Sequence, residues 1–244
     1  MPFVLSRFSF VEMMECRNRM RSLFLEELPT FEDAAERAVQ FFHEEFTGDD
    51  GLPACALVRF FKTHPYGELE ASLQEAVRHA VGSPFPADDL RCLTLLATRG
   101  SEPDWNSRAR SKAHRAIPLT SVEMVQQAPM ISQLITQLGV PIASVLNPSR
   151  ELLLDQGTAH NVFYVPQALG SPYIPAQEEF VRRYGIASVL GFGGLLASGD
   201  LFAVVMFSRV AIDPSVAEHF KVVGLNLKIG MLPFTRKPTF RPVA

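Results

Sequence analysis

Cations gathered around one indole are the first place in this chain where chemistry could happen. Residues 100–119 read GSEPDWNSRARSKAHRAIPL and hold the single tryptophan, Trp105. Arg108, Arg110, Lys112 and Arg115 follow closely. The stretch has no apolar periodicity, the mark of a long loop, and long loops in compact domains are usually functional or disordered. A guanidinium fork pairs with two oxygens of a carboxylate or phosphate, and an indole face accepts a cation. One reading of the pattern is that Arg108, Arg110 and Arg115 face an anionic ligand as a cationic rim. The same residues also fit arginines that hold Glu178–Glu179, or a loop pinned by one aromatic with solvated charges around it.

A second polar cluster lies in NVFYVPQALGSPYIPAQEEFVRRYG, residues 161–185. Tyr164, Tyr173 and Tyr184 are three of the four tyrosines in the chain, and Asn161, Gln177 and Arg182 stand among them. Pro166, Pro172 and Pro175 stiffen the segment and lower the entropy cost of ordering it. It reads equally as a pocket wall and as a rigid structural loop.

Other chemistries lack their residues. There is no GxSxG, HExxH, P-loop or GxGxxG pattern. GFGG at 191–194 sits inside a strand pattern, where Gly193 and Gly194 predict a bulge or a close backbone approach. Cys16, Cys55 and Cys92 form no CxxC or Cys-His grouping, which argues against a zinc site. Scattered thiols fit a reducing compartment, so the expectation is a cytoplasmic protein. Arg7, Glu12, Glu15 and Arg17 interrupt the first residues, leaving no signal-peptide core. No run approaches the ~20 apolar residues that cross a bilayer. A formal charge of −3 gives no general attraction to nucleic acid or anionic membrane, so neither is expected as a partner.

These residues need elements to position them. Met13, Cys16, Met20, Leu23 and Phe24 make one stripe of a helix over 9–28. Thr30 with Asp33 opens a second helix, which ends before TGDDGLP at 47–53. ACALVRFFK at 54–62 and RCLTLLATRG at 91–100 read as strands around a helix at 67–82. TSVEMVQQAPMISQLITQLG at 120–139 reads as a helix capped by Thr120 and Glu123 and kinked or restarted at Pro129. VPIASVLN at 140–147 and HNVFYV at 160–165 read as strands. Residues 185–209 form a strand, a Ser-Gly-Asp turn and a strand, the signature of a β-hairpin. Asp213 and Pro214 then cap and open a last helix over 212–232. PFTRKPTFRPVA is expected to be a disordered tail. Hairpin-linked strands with non-alternating helices predict an α+β fold with an antiparallel sheet.

YGIASVLGFGGLLASGDLFAVVMFSR, followed by DPSVAEHFKVVGLNLKIGML, resembles the closing segment of GAF domains, with Ala203 where that pattern usually has glycine. The span from about Cys55 to Leu232 is similar to the N-terminal GAF-like sensor region of bacterial sensor histidine kinases. CLTLLATRGSEPDWNSR, HRAIPL, PMISQLI and NVFYVPQALGSPYIPAQEEFV carry that second likeness. The resemblance implies a GAF/PAS-like six-stranded antiparallel sheet flanked by helices, with residues 1–48 as an N-terminal helical extension, 49–232 as the sensor domain and 233–244 as the tail. It also implies a ligand pocket under the inter-strand loops, with Trp105 folded inward as its lid, and a homodimer through terminal helices.

Known GAF chemistries can be tested residue by residue. A bilin-bearing Cys is typically followed by His, but Arg17, Ala56 and Leu93 follow the cysteines here. The cysteine spacing does not match the three-cysteine set of a GAF-type methionine sulfoxide reductase, and no cyclic-nucleotide residue set can be placed. Haem needs an axial ligand, and His160 is the histidine in the stretch where the pocket is implied. The cofactor, if any, is not set by these residues. The resemblance implies a non-enzymatic sensory module of bacterial cytoplasmic signal transduction, binding a small molecule or a partner and signalling through its terminal helices. A histidine kinase or response regulator is the implied partner, lying on another protein or on a longer chain of which this sequence is a fragment. The alternative is a structural protein-interaction or dimerisation module with a vestigial pocket.

Overall fold

Runs such as CALVRFF and LFAVVMF are apolar on both sides of the pleat, so their sheet needs cover on both faces. In the computed structural model, which describes residues 1–111, 114–148 and 161–242, they form the centre of a six-stranded antiparallel sheet. Its strands are β3 (Cys55–Pro65), β4 (Arg91–Gly100), β5 (Ala116–Pro118), β6 (Val162–Val165), β7 (Ser188–Leu195) and β8 (Leu201–Ser208), in the spatial order β5-β4-β3-β8-β7-β6. β1 (Phe3–Val4) and β2 (Phe46–Thr47) pair in parallel as a separate ribbon.

One face carries α1 (Phe10–Leu23), α2 (Phe31–Glu44) and α7 (Pro214–Met231). Reciprocal capping boxes start α1 at Ser9–Glu12 and α2 at Thr30–Asp33, and the Asp213 side chain accepts from Ser215 to start α7. Met13, Cys16 and Phe42 join Phe60, Phe192, Phe202 and Phe220 in one core on this side. The Phe42 and Phe192 rings meet edge to face at 4.9 Å. The other face, with Leu57, Phe61, Val205 and Phe207, lies under α4 (Val122–Gln126), α5 (Pro129–Gln137), α6 (Ile142–Leu146) and the 166–186 segment. At Gly193 a side chain would stand 2.1 Å from the Phe202 carbonyl oxygen, so the expected close backbone approach is present. α3 (Ala71–Val81) closes the β4–β5 edge with Leu73 and Val77.

Four local expectations change. Residues 140–147 are not a strand: Pro141 caps the short helix α6, whose Val145 is buried. A brief apolar run reads the same way in either state, and Pro141 presets the backbone that leads into the turn. The sixth strand is instead β5, inside the loop that shows no periodicity. It lies at the sheet edge, where Pro118 is tolerated. The 120–139 helix is capped by Ser121, whose side chain accepts from Met124, rather than by Thr120. The tail is ordered through residue 242. The Pro238 and Thr239 carbonyls accept from the backbone N–H groups of Phe31 and Glu32, and Arg241 pairs with Asp33 and Glu36. These are free N–H donors and acidic groups of the first turns of α2, and a basic tail satisfies both.

Candidate functional site

The Trp105 loop begins where β4 ends at a residue that must be glycine. A side chain at Gly100 would meet the Ala56 carbonyl oxygen at 2.7 Å and Trp105 Cε3 at 2.8 Å. Next comes a 3₁₀ turn, Pro103–Asn106, in which Asn106 Oδ1 accepts from the Gly100 N–H at 3.0 Å. The turn lays the indole against the sheet. Its centroid is 4.6 Å from Tyr184 and 5.7 Å from Phe180, and Phe180 stands edge-on to Phe207 of β8 at 5.0 Å. Trp105 is therefore part of the loop-face core as well as the lip of a cavity.

That cavity is about 410 Å³, a small-molecule volume. Trp105, Tyr184, Pro103, Glu102, Asp104, Arg110, Ser111 and Arg59 line it. Arg59 comes from the middle of β3, on the loop side of the pleat. Its Nη2 donates to Ser111 Oγ at 3.3 Å, and its Nε is buried with no hydrogen-bond partner. Burial lowers its pKa to about 10. Glu102 and Asp104 give the cavity anionic groups too, so its lining is mixed in charge. A second cavity, about 650 Å³, lies between the 48–53 loop and Arg209, whose guanidinium donates to Ser101 Oγ and to the Tyr184 and Cys55 carbonyls.

No family model matches the chain, and no curated protein matches it. Among solved structures, free methionine-R-sulfoxide reductase from Neisseria meningitidis, in complex with its substrate, is similar over 93% of this chain and 92% of its own, at 10% identity and a TM-score of 0.50. The phycocyanobilin-bound GAF domain of a cyanobacterial phytochrome matches over 91% and 94% at 11% identity and a TM-score of 0.43. The GAF domain of Acinetobacter phosphoenolpyruvate-protein phosphotransferase matches over 91% and 93% at 11% identity and a TM-score of 0.41. The strand order, the three helices on one face and the loop-covered second face agree with the architecture expected from the closing segment. The fold is GAF-like.

Within this GAF-like domain the expected cationic rim is not assembled as a unit. Of Arg108, Arg110 and Arg115, only Arg110 shares the cavity with Trp105, its Nη2 bonded to the Pro103 carbonyl at 3.0 Å. Arg108 is turned away by stronger partners. Its Nε and Nη2 grip Glu32 of α2 at 2.6 and 3.1 Å, and Nη1 and Nη2 grip Glu70, each at 2.9 Å. Burial works to lower the Arg108 pKa, but the bonds to Glu70 and Glu32 outweigh it and push it up. Arg115 bonds Ser72 Oγ at 3.0 Å. Glu178 pairs with Arg182 and not with the loop arginines.

The second cluster is dispersed as well. The Tyr164 hydroxyl donates to the Ile212 carbonyl, on the α7 side of the sheet. Tyr173 packs into the loop-face core, and Asn161 is half-buried beside the start of β6. His160 lies outside the described residues. Tyr184, which the sequence places among the wall tyrosines, does line the cavity.

Arg59 is the residue that sequence reasoning missed. Its signal was a lone guanidinium inside an apolar strand, ALVRFF. The same strand hides a second polar group. Lys62 and Arg91 both pair with Asp200 from the β7–β8 turn, and Arg91 Nη2 bonds Thr63 Oγ1 at 2.9 Å. Here two buried cations share a carboxylate, whereas Arg59 has none among the described residues.

Proposed function

We propose that this GAF-like domain is a sensory module that binds a small molecule in the Trp105 cavity and reports it through α1, α2 and α7. The observation that carries the reading is the cavity itself, bounded by aromatic rings and by a guanidinium that has no carboxylate partner among the described residues. Such a lining combines apolar walls with a few placed polar groups, as ligand sites do. A route for the signal exists in Arg108. It belongs to the loop that carries Trp105, yet it is bonded to Glu32 of α2 and lies over Phe240 of the tail at 5.3 Å. A ligand that shifts the Trp105 loop must move this clamp or strain it, and only a ligand with different affinity for the two arrangements would drive the change.

The reading is of a binding module rather than an enzyme. None of the cavity-lining residues is a cysteine. Cys16, Cys55 and Cys92 are buried, and burial raises each thiol to about 12, far from nucleophilic. The proposed output is a histidine kinase or response regulator met by the terminal helices, in a cytoplasmic homodimer. Trp105→Ala tests the site. The variant should keep its fold and its far-UV spectrum, while any small molecule carried by freshly purified wild-type protein in native mass spectrometry is lost from it. Retention of the same bound mass by the variant would place the ligand elsewhere.

A further inference from the structure

What the cavity takes is narrowed by Arg59. A buried guanidinium is costly unless its charge is met. Two other arginines of the described residues meet theirs: Arg91 holds Asp200, and Arg108 holds Glu32 and Glu70. Among the described residues Arg59 meets one neutral hydroxyl, Ser111 Oγ, and no carboxylate, and like Arg91 it keeps a buried Nε without an acceptor. The unmet charge opens on the cavity, beside Trp105. We propose that Arg59 receives the carboxylate of a small monocarboxylic acid bound in the Trp105 cavity, an assignment that rests on the ligand-binding reading above.

Carboxylate is favoured over phosphate for three reasons. The planar guanidinium fork matches the two oxygens of a planar carboxylate. Glu102 and Asp104 line the same cavity, and their charges oppose a dianion more than a monoanion. The indole of Trp105 and the ring of Tyr184 offer apolar surface to the body of an organic acid, which inorganic phosphate would not use.

Acetate is the probe, because the smallest alkyl carboxylate fits any such cavity. Chloride at equal ionic strength controls for screening. At about ten times its dissociation constant, acetate should raise the wild-type melting midpoint by roughly 3–6 °C beyond chloride and shift the Trp105 emission. Arg59→Met should lose both responses. Without added anion this variant should melt above wild type, because an unpaired buried charge has gone. Arg59→Lys keeps the charge without the fork and should respond more weakly than wild type. An equal acetate response in wild type and Arg59→Met, no response beyond chloride in wild type, or a larger response to inorganic phosphate would each overturn the assignment. If acetamide matches acetate and both shift the Trp105 emission, the carboxylate assignment falls while the ligand-binding reading stands. A Trp105 already fully open to solvent would instead remove the ligand-binding reading itself.

Discussion

Single side chains in this domain divide by whether their charge is met, and His64 is a test away from the cavity. It is fully buried on β3, with neither ring nitrogen bonded and its ring 5.5 Å from that of Phe240. Burial, helped by the charge of Lys62, lowers its pKa to about 3. The unfolded chain takes up a proton near pH 6.5 and the folded chain does not. Stability from this group is therefore complete above about pH 6.5 and is lost as pH falls towards 3. At pH 5 the loss is roughly 2 kcal/mol. His64→Phe should flatten the urea-unfolding stability profile between pH 7 and pH 4 relative to wild type, and an unchanged profile would refute the buried neutral imidazole. His64, Lys62 and Arg59 share a lesson about reading sequence. Their strand was legible as a strand, but which polar side chain gains a partner depends on Asp200, more than a hundred residues away, and no local spacing records that.

At the scale of elements, the arginines after Trp105 are not equivalent. In sequence they form one basic run. In the fold Arg108 clamps α2 to the loop and to Glu70 at the foot of α3, whereas Arg110 stays exposed at the cavity. Arg108→Met would leave the buried Glu32 carboxylate without its cation, and we expect a loss of about 3–5 kcal/mol in denaturant unfolding. Arg110→Met should cost no more than about 0.5 kcal/mol. Equal losses would mean that the clamp does not hold. The helices themselves were readable because caps and stripes are local. Thr30 with Asp33 and Asp213 with Pro214 announce α2 and α7, and both capped starts are present. The 140–147 segment and β5 were not readable, because an apolar run of a few residues takes its state from its neighbours. β5 exists only because β4 offers it an edge.

At the scale of the whole molecule, the fold was legible mainly from its last fifty residues, and the location of the cavity from the inter-strand loop. A homodimer through terminal helices would not use their apolar stripes, because Met13, Cys16 and Met20 of α1 and Val216, Phe220, Val223, Leu227 and Met231 of α7 are buried within the chain against the sheet and each other. What remains outside is smaller: Phe10, Val11, Val222 and Ile229 are exposed on α1 and α7. A second copy covering these residues is the dimer we predict, and light scattering at micromolar concentration should give twice the chain mass, while a monomer would count against it. The central claim, that the loop-face cavity is a ligand site roofed by the indole, is tested most directly by the fluorescence of Trp105, the single tryptophan. Packed on Tyr184 and Phe180, it should emit at a blue-shifted wavelength, resist iodide, and shift on addition of acetate in wild type but not in Arg59→Met. A fully red-shifted emission, freely quenched by iodide and unmoved by acetate, would contradict the account.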